Sequence, residues 1–250
     1  MLPTPSTSHI TCSTIYEPAE DSYLLLDTLS SPSETSWLQT HFAPTSTPTA
    51  LLLVELGTGS GVILAFLTAH AATIFARADI LSLGIDINAH ACSATTQTVS
   101  TAVTAHNNNS SSSALYLGSL CADLTSPVLD ASVDLLVFNP PYVPTPSLPA
   151  LPTTTPGGSV SDGLFETESH LLSLSYAGGK DGMETTTRLL NALPRVLSER
   201  GVAYVLLCAQ NRPDEVIVSV REGLGLRVQS VGWSGKMAGW EKLTVLRIWR

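Results

Sequence analysis

The chain has 250 residues, enough to bury the core of one sizeable domain. Its formal net charge is −9, from 12 Lys and Arg against 21 Asp and Glu. That balance argues against binding nucleic acid through its phosphates, which needs clustered cations. Charged residues make up 13 % of the chain, against roughly 25 % in an average soluble domain, so an apolar patch covered by a partner is one expectation. No Lys or Arg precedes Arg77, whereas Glu17, Glu20, Asp21, Asp27, Glu34 and Glu55 do. This asymmetry suits a positively charged substrate or partner as well as it suits plain solubility. Cys12, Cys92, Cys121 and Cys208 form no Cys-x-x-Cys pair and read as reduced thiols, and the six histidines are scattered, so no metal site is expected. No basic stretch followed by an apolar one opens the sequence, so no signal peptide is expected and a cytoplasmic, or also nuclear, location is.

In chain order, residues 1–15 read as a flexible polar tail ahead of a single domain over 16–250. A helix is expected over Glu20–Leu29, and Pro32–Pro48 reads as a Ser/Thr/Pro linker with at most a short helix around Trp37 and Leu38. The apolar run from Leu51 to Leu56 reads as a buried parallel strand, followed by alternate glycines Gly57, Gly59 and Gly61 and a helix from Val62 to Ala72. Gly-x-Gly-x-Gly is not the dinucleotide fingerprint, and Glu55 favours a cation, such as a sulfonium with an amino-acid tail, over a pyrophosphate. The hydropathy of Leu51–Ala76 would pass for a membrane span, but Glu55, His70 and the glycines break it. A second strand, Ile80–Ile85, ends in Asp86, where a carboxylate can accept both hydroxyls of a ribose. A helix over Ala89–Ala105 leads to a low-complexity loop, Asn107–Ser113, read as mobile. The third strand, Ala114–Leu117, precedes Asp123, which suits either a base amino group or a helix cap.

The fourth strand, Val133–Phe138, closes in Asn139-Pro140-Pro141-Tyr142. Two consecutive prolines fix φ and remove two backbone donors, so this turn is stiff and presents acceptors. The Asn139 side-chain carbonyl and the Pro140 backbone carbonyl can both accept from one planar NH2, and Tyr142 offers a flat face for stacking. The Pro/Thr-rich stretch over 144–161 is read as a second mobile loop. Helices over Glu166–Leu174 and Met183–Leu197 flank Ala177–Gly182, a glycine run that either shapes the substrate side or connects the two. A fifth strand over Gly201–Cys208, a helix over Asp214–Gly223 and an antiparallel pair, Leu226–Trp233 and Leu243–Trp249, complete the chain, with a Gly-rich segment around Met237 and Trp240 between the last two strands. Alternating strands and helices imply a mainly parallel sheet whose ligands gather beyond the carboxyl ends of the strands. The Glu55–Gly61 turn, Asp86, Asp123 and the Asn139–Tyr142 turn all fall at such ends.

Together with Tyr16-Glu17-Pro18-Ala19-Glu20-Asp21-Ser22-Tyr23-Leu24-Leu25-Leu26-Asp27 and Lys242–Leu246, these motifs carry a resemblance. The chain resembles class I S-adenosylmethionine methyltransferases of the HemK-like group, which methylate the glutamine of release factors, and within that group the eukaryotic and archaeal branch. The resemblance implies an α/β class I methyltransferase fold: a Rossmann-like, seven-stranded, mainly parallel sheet with an antiparallel C-terminal strand and helices on both faces. It implies S-adenosylmethionine as cofactor, contacted by Ser22, Glu55, Gly57, Gly59, Gly61, Asp86, Asp123 and Asn139. Asn139, Pro140, Pro141 and Tyr142 would bind the target, with Asn139, Pro140 and Tyr142 in the catalytic role. It also implies a heterodimer with a small zinc-binding activator subunit seated near strand three, acting on the Gly-Gly-Gln loop of a release factor. An adenine or guanine amino-methyltransferase acting on nucleic acid, or a protein lysine methyltransferase, are the alternatives. The Ser/Asn loop and the stretch over 144–161 depart from the family pattern, and bacterial relatives carry a helical substrate domain ahead of the segment that begins here at Tyr16.

Overall fold

The computed structural model describes residues 2–44, 49–107, 114–151, 164–235 and 242–250. Its centre is a seven-stranded sheet of β1 (Leu51–Leu56), β2 (Ile80–Asp86), β3 (Leu115–Cys121), β4 (Val133–Phe138), β5 (Leu197–Cys208), β6 (Arg227–Trp233) and β7 (Leu243–Trp249). The spatial order is β3-β2-β1-β4-β5-β7-β6. The first five strands pair in parallel, and β7 runs antiparallel to both β5 and β6. Both the mainly parallel sheet and the antiparallel end expected from the sequence are therefore present.

Alternation along the central strands feeds two cores. Leu53, Leu135, Val137 and Tyr204 pack on one face against α1 (Glu20–Leu29), α2 (Pro32–His41), α3 (Val62–Ala69), α4 (Ala71–Phe75) and α5 (Ala89–Asn107). Val54, Leu136, Val205 and Leu246 pack on the other against α7 (Glu184–Val196) and α8 (Pro213–Leu224). The remaining helix, α6 (Leu164–Tyr176), follows the loop after β4. Each fully buried aliphatic side chain contributes roughly 1.5–3 kcal/mol, so the two-sided sheet is where most stability resides. No helix among the described residues is long and apolar enough to cross a membrane.

Several boundaries differ from the sequence reading. The linker expected over Pro32–Pro48 holds a ten-residue helix, α2. Pro32 opens it, Ser31 Oγ accepts from the Glu34 amide at 3.3 Å, and Leu38 is buried beneath it. The helix is fixed from far away: Arg247 donates to both Glu34 carboxylate oxygens at 2.9 and 2.8 Å, and the Tyr204 hydroxyl donates to one of them at 2.7 Å. The helix expected to run from Val62 to Ala72 breaks at His70, and β3 extends to Cys121. Strand β5 begins at Leu197, with a register shift that sets Leu197 opposite Val133 and Val202 opposite Leu135. Residues 2–15, expected as a loose tail, are laid against the body. The Pro3 carbonyl meets His70 Nε2 at 3.0 Å, the Thr14 carbonyl accepts from Asn88 Nδ2 at 2.7 Å, and Ile15 is buried. Of the two loops read as mobile, 108–113 and 152–161 lie outside the described residues, as does the segment around Met237 and Trp240.

Candidate active site

The turn after β1 is built by glycine at two positions. Gly57, at φ +60°, donates its amide to the Ile85 carbonyl at 2.8 Å, in a left-handed conformation that a side chain would strain. Gly61, at φ +75°, has no room for a Cβ, which would lie 2.5 Å from Thr95 Cα, so α3 rests directly on α5. Gly61 also leaves α3 without a side-chain cap. Glu55 supplies it from the strand: its Oε2 accepts from the Leu64 amide at 2.9 Å. Glu55 is fully buried, and desolvation pushes its carboxyl well above the usual range; the Leu64 hydrogen bond opposes this, and the nearby Asp86 charge adds to it.

Asp86 closes β2. Its Oδ2 accepts from the Gly59 amide at 2.9 Å and its Oδ1 from the Asn88 amide at 2.8 Å. Burial again raises its pKa, and these amides pull the other way. Two buried carboxyls thus sit side by side under a glycine turn. Gly59 has open space where a side chain would stand, so a ligand can approach the backbone there.

The Asn139–Tyr142 turn lies across the cleft from them. Asn139 Nδ2 donates to Asp21 Oδ2 at 3.1 Å, and the Tyr142 hydroxyl donates to the same oxygen at 3.4 Å. Asn139 Oδ1 is buried and has no hydrogen-bond partner among the described residues. Such an orphaned acceptor costs about 1–3 kcal/mol unless a donor arrives. The turn is buttressed from behind by the Ala177–Gly182 run. The Val143 amide donates to the Tyr176 carbonyl at 2.9 Å and the Gly178 amide to the Val143 carbonyl at 2.8 Å. A Cβ at Gly178 would collide with the Pro141 carbonyl and one at Gly182 with the Tyr142 carbonyl. Asn211 Nδ2 adds a hydrogen bond to the Tyr142 carbonyl at 3.1 Å. Beyond the two readings the sequence offers for this glycine run, its geometry supports the turn from behind.

A cavity of about 150 Å³ joins these parts. Of the site residues that the sequence analysis names, Ser22, Glu55, Gly57, Gly59, Asp86, Asp123, Asn139, Pro140 and Pro141 line it. Gly61 and Tyr142, also expected there, do not. Gly61 is taken up in helix packing, and Tyr142 sends its hydroxyl to Asp21. The Asp123 carboxylate is held by the guanidinium of Arg188 from α7. Sequence reasoning missed Asp21, Asn88, Arg188 and Asn211. Each makes a contact distant in sequence, Asn88 through the Thr14 carbonyl, and only Asp21 and Asn88 lie within motifs that the sequence marks.

The cavity residues fit S-adenosylmethionine. Glu55 and Asp86 are desolvated acids that a cationic, hydroxyl-bearing ligand would satisfy, and the open backbone at Gly59 admits it. The sheet order and this cleft at the carboxyl ends of β1, β2 and β4 define a class I S-adenosylmethionine-dependent methyltransferase.

No family model matches the chain. It is 32 % identical to human (Homo sapiens) Methyltransferase HEMK2, over 94 % of this chain and 89 % of that one. It is 31 % identical to the eRF1 methyltransferase catalytic subunit mtq2 of Schizosaccharomyces pombe, over 100 % of this chain and 96 % of its relative. Methyltransferase HEMK2 of Mus musculus matches at 32 %, over 98 % and 96 %. The chain belongs to this HemK-like family of release-factor methyltransferases.

Proposed function

We propose that the protein methylates the side-chain amide nitrogen of the glutamine in the Gly-Gly-Gln loop of a eukaryotic class I peptide-chain release factor. The observation that carries this reading is the buried, unpaired Asn139 Oδ1, next to the carbonyl of Pro140 at the cleft wall. An amide nitrogen is a poor nucleophile, because its lone pair is delocalised into its carbonyl. Asn139 Oδ1 and the Pro140 carbonyl accept its two N–H bonds, orient the lone pair and stabilise positive charge as it develops on nitrogen. S-adenosylmethionine, when bound, supplies an electrophilic methyl on a sulfonium. Glu55, Asp86 and Asp123 would hold it, with Ser22 and the Gly57–Gly59 backbone. No side-chain base is required, since an alkylated amide cation is strongly acidic and loses its proton to water.

The name of the fission-yeast relative, an eRF1 methyltransferase catalytic subunit, supports both the substrate and a second subunit. We assign the second subunit to a small zinc-binding activator at β3. That strand ends the sheet, and among the described residues Leu115, Leu117 and Leu120 on it are 56, 50 and 42 % exposed. An edge so apolar is suited to cover by another chain. On this reading the enzyme works in the cytoplasm.

The test is co-expression with such an activator, followed by mass spectrometry of a release factor incubated with enzyme and donor. One methyl on the loop glutamine is the expected result. Label found instead on lysine, RNA or DNA, with the glutamine unmodified, overturns the reading.

A further inference from the structure

We infer that Asp21 is a positioning residue for the transfer: its carboxylate decides which end of the Asn139 amide faces the target. The inference rests on the amide-transfer reading above and adds to it a residue outside the turn.

An asparagine side chain is nearly symmetric in shape and fits a site either way round, so only its hydrogen-bond partner sets its direction. A carboxylate accepts and does not donate. With Asp21 Oδ2 at 3.1 Å, the atom of Asn139 facing it must be Nδ2, and Oδ1 is then the end turned away from Asp21, buried and with no partner among the described residues, on a residue that lines the cleft. The reverse orientation would set an amide oxygen against the carboxylate and present an NH2 to the target NH2. Both contacts would be repulsive.

Asp21 is itself held firmly. It is 3 % exposed and lies in the first turn of α1, where the helix dipole favours a carboxylate. Its Oδ1 accepts from the Ser22 amide at 2.6 Å and from Ser22 Oγ at 3.3 Å, and its Oδ2 also accepts from the Tyr142 hydroxyl. One carboxylate thereby connects the segment carrying Ser22 to the turn that grips the target.

Three variants test this. In Asp21→Asn the Ser22 amide keeps an oxygen in the Oδ1 place, so the new NH2 stands in the Oδ2 place and donates to Asn139, which turns it over, and kcat should fall by about a hundredfold. Donor affinity by calorimetry and acceptor KM should each stay within about threefold, since neither contact is removed. Asn139→Asp should be similarly slow, because two carboxylates then face each other. In the double variant Asp21→Asn with Asn139→Asp, residue 21 donates to one oxygen of residue 139 and the other oxygen faces the cleft as an acceptor again. Its kcat should exceed that of Asp21→Asn by at least about tenfold, a coupling that a merely structural role would not give.

The proposal is overturned by an Asp21→Asn enzyme with wild-type kcat. It is also overturned by a folded, donor-binding double variant no faster than Asp21→Asn. Should the single variant not fold, the wild type decides: a selectively labelled Asn139 side-chain amide should give one NMR signal pair with slowed exchange, and two interconverting sets reject the assignment. If wild-type enzyme methylates some other acceptor, the functional reading fails while these comparisons, scored on that acceptor, still test Asp21.

Discussion

Two buried carboxylates in this molecule have opposite surroundings. Glu34, on α2, is met by the Arg247 guanidinium and the Tyr204 hydroxyl, and Arg247 in turn lies 3.8 Å from the Trp37 ring centroid. Among the described residues, only Arg247 Nε in that cluster lacks an acceptor. Glu55, at the cleft, takes one backbone amide, and its neighbouring charge is another acid, Asp86. The first carboxylate is saturated by the fold itself. The second is desolvated with no cation beside it, and Asn139 Oδ1 nearby has no partner among the described residues. Buried polar groups are normally paired, so an unsatisfied acceptor and a desolvated acid at a single cleft mark where binding free energy is to be gained.

The comparison can be broken most severely on the Glu34 side. Arg247→Ala removes one partner of a pair whose side chains are 5 and 6 % exposed, which should cost about 3–5 kcal/mol and lower the thermal midpoint by roughly 10 °C. Donor affinity, measured by calorimetry well below that midpoint, should not change. On the cleft side, Asn139→Ala should lower kcat by about 10²–10³-fold while donor binding survives, because it removes an acceptor used only by the reacting amide. Transfer at the wild-type rate would remove Asn139 from the mechanism. Glu55→Gln sharpens the contrast. It keeps an acceptor for the Leu64 amide and relieves a desolvated charge, so the ligand-free protein should be as stable or more so, with donor affinity about tenfold weaker, near 1.4 kcal/mol. A loss of stability like that of Arg247→Ala would show that Glu55 is scaffold after all.

The smallest and most general effect concerns pH. Glu55 and Asp86 have folded-state pKa values raised by burial, so the folded state binds their protons more tightly than the unfolded chain does. Ligand-free stability should therefore rise as pH falls through the window between the raised values and the unfolded ones near 4. Affinity for a cationic donor should fall over the same window. Thermal melts and calorimetry across that range check both signs, and parallel trends in stability and affinity would contradict the assignment.

How much of this was legible in the sequence depended on distance along the chain. Strands β1, β2 and β4 announce themselves as apolar runs, and the Gly57–Gly61 and Asn139–Tyr142 turns carry their chemistry in consecutive residues. Helix α2 was hidden because Ser, Thr and Pro dominate it and its anchor, Arg247, stands 213 positions from Glu34. Strand β3 looked shorter than it is because its exposed edge lacks the hydrophobic continuity of a central strand. Asp21 falls within a motif, but its bond to Asn139 spans 118 positions and has no local signature. The sequence marks Glu55 as a ligand contact, and its second task, closing the bare end of α3, follows from the missing side chain at Gly61.

Gly182 shows what such a site means for variation. It adopts φ +68°, and any side chain there would drive into the Tyr142 carbonyl. It does not line the cleft. In a saturation library scored by growth or by product, this position would nonetheless be as intolerant as Asn139, and a reader of that map alone would mistake it for part of the chemistry. The tolerance of the gripping turn is set by the atoms behind it.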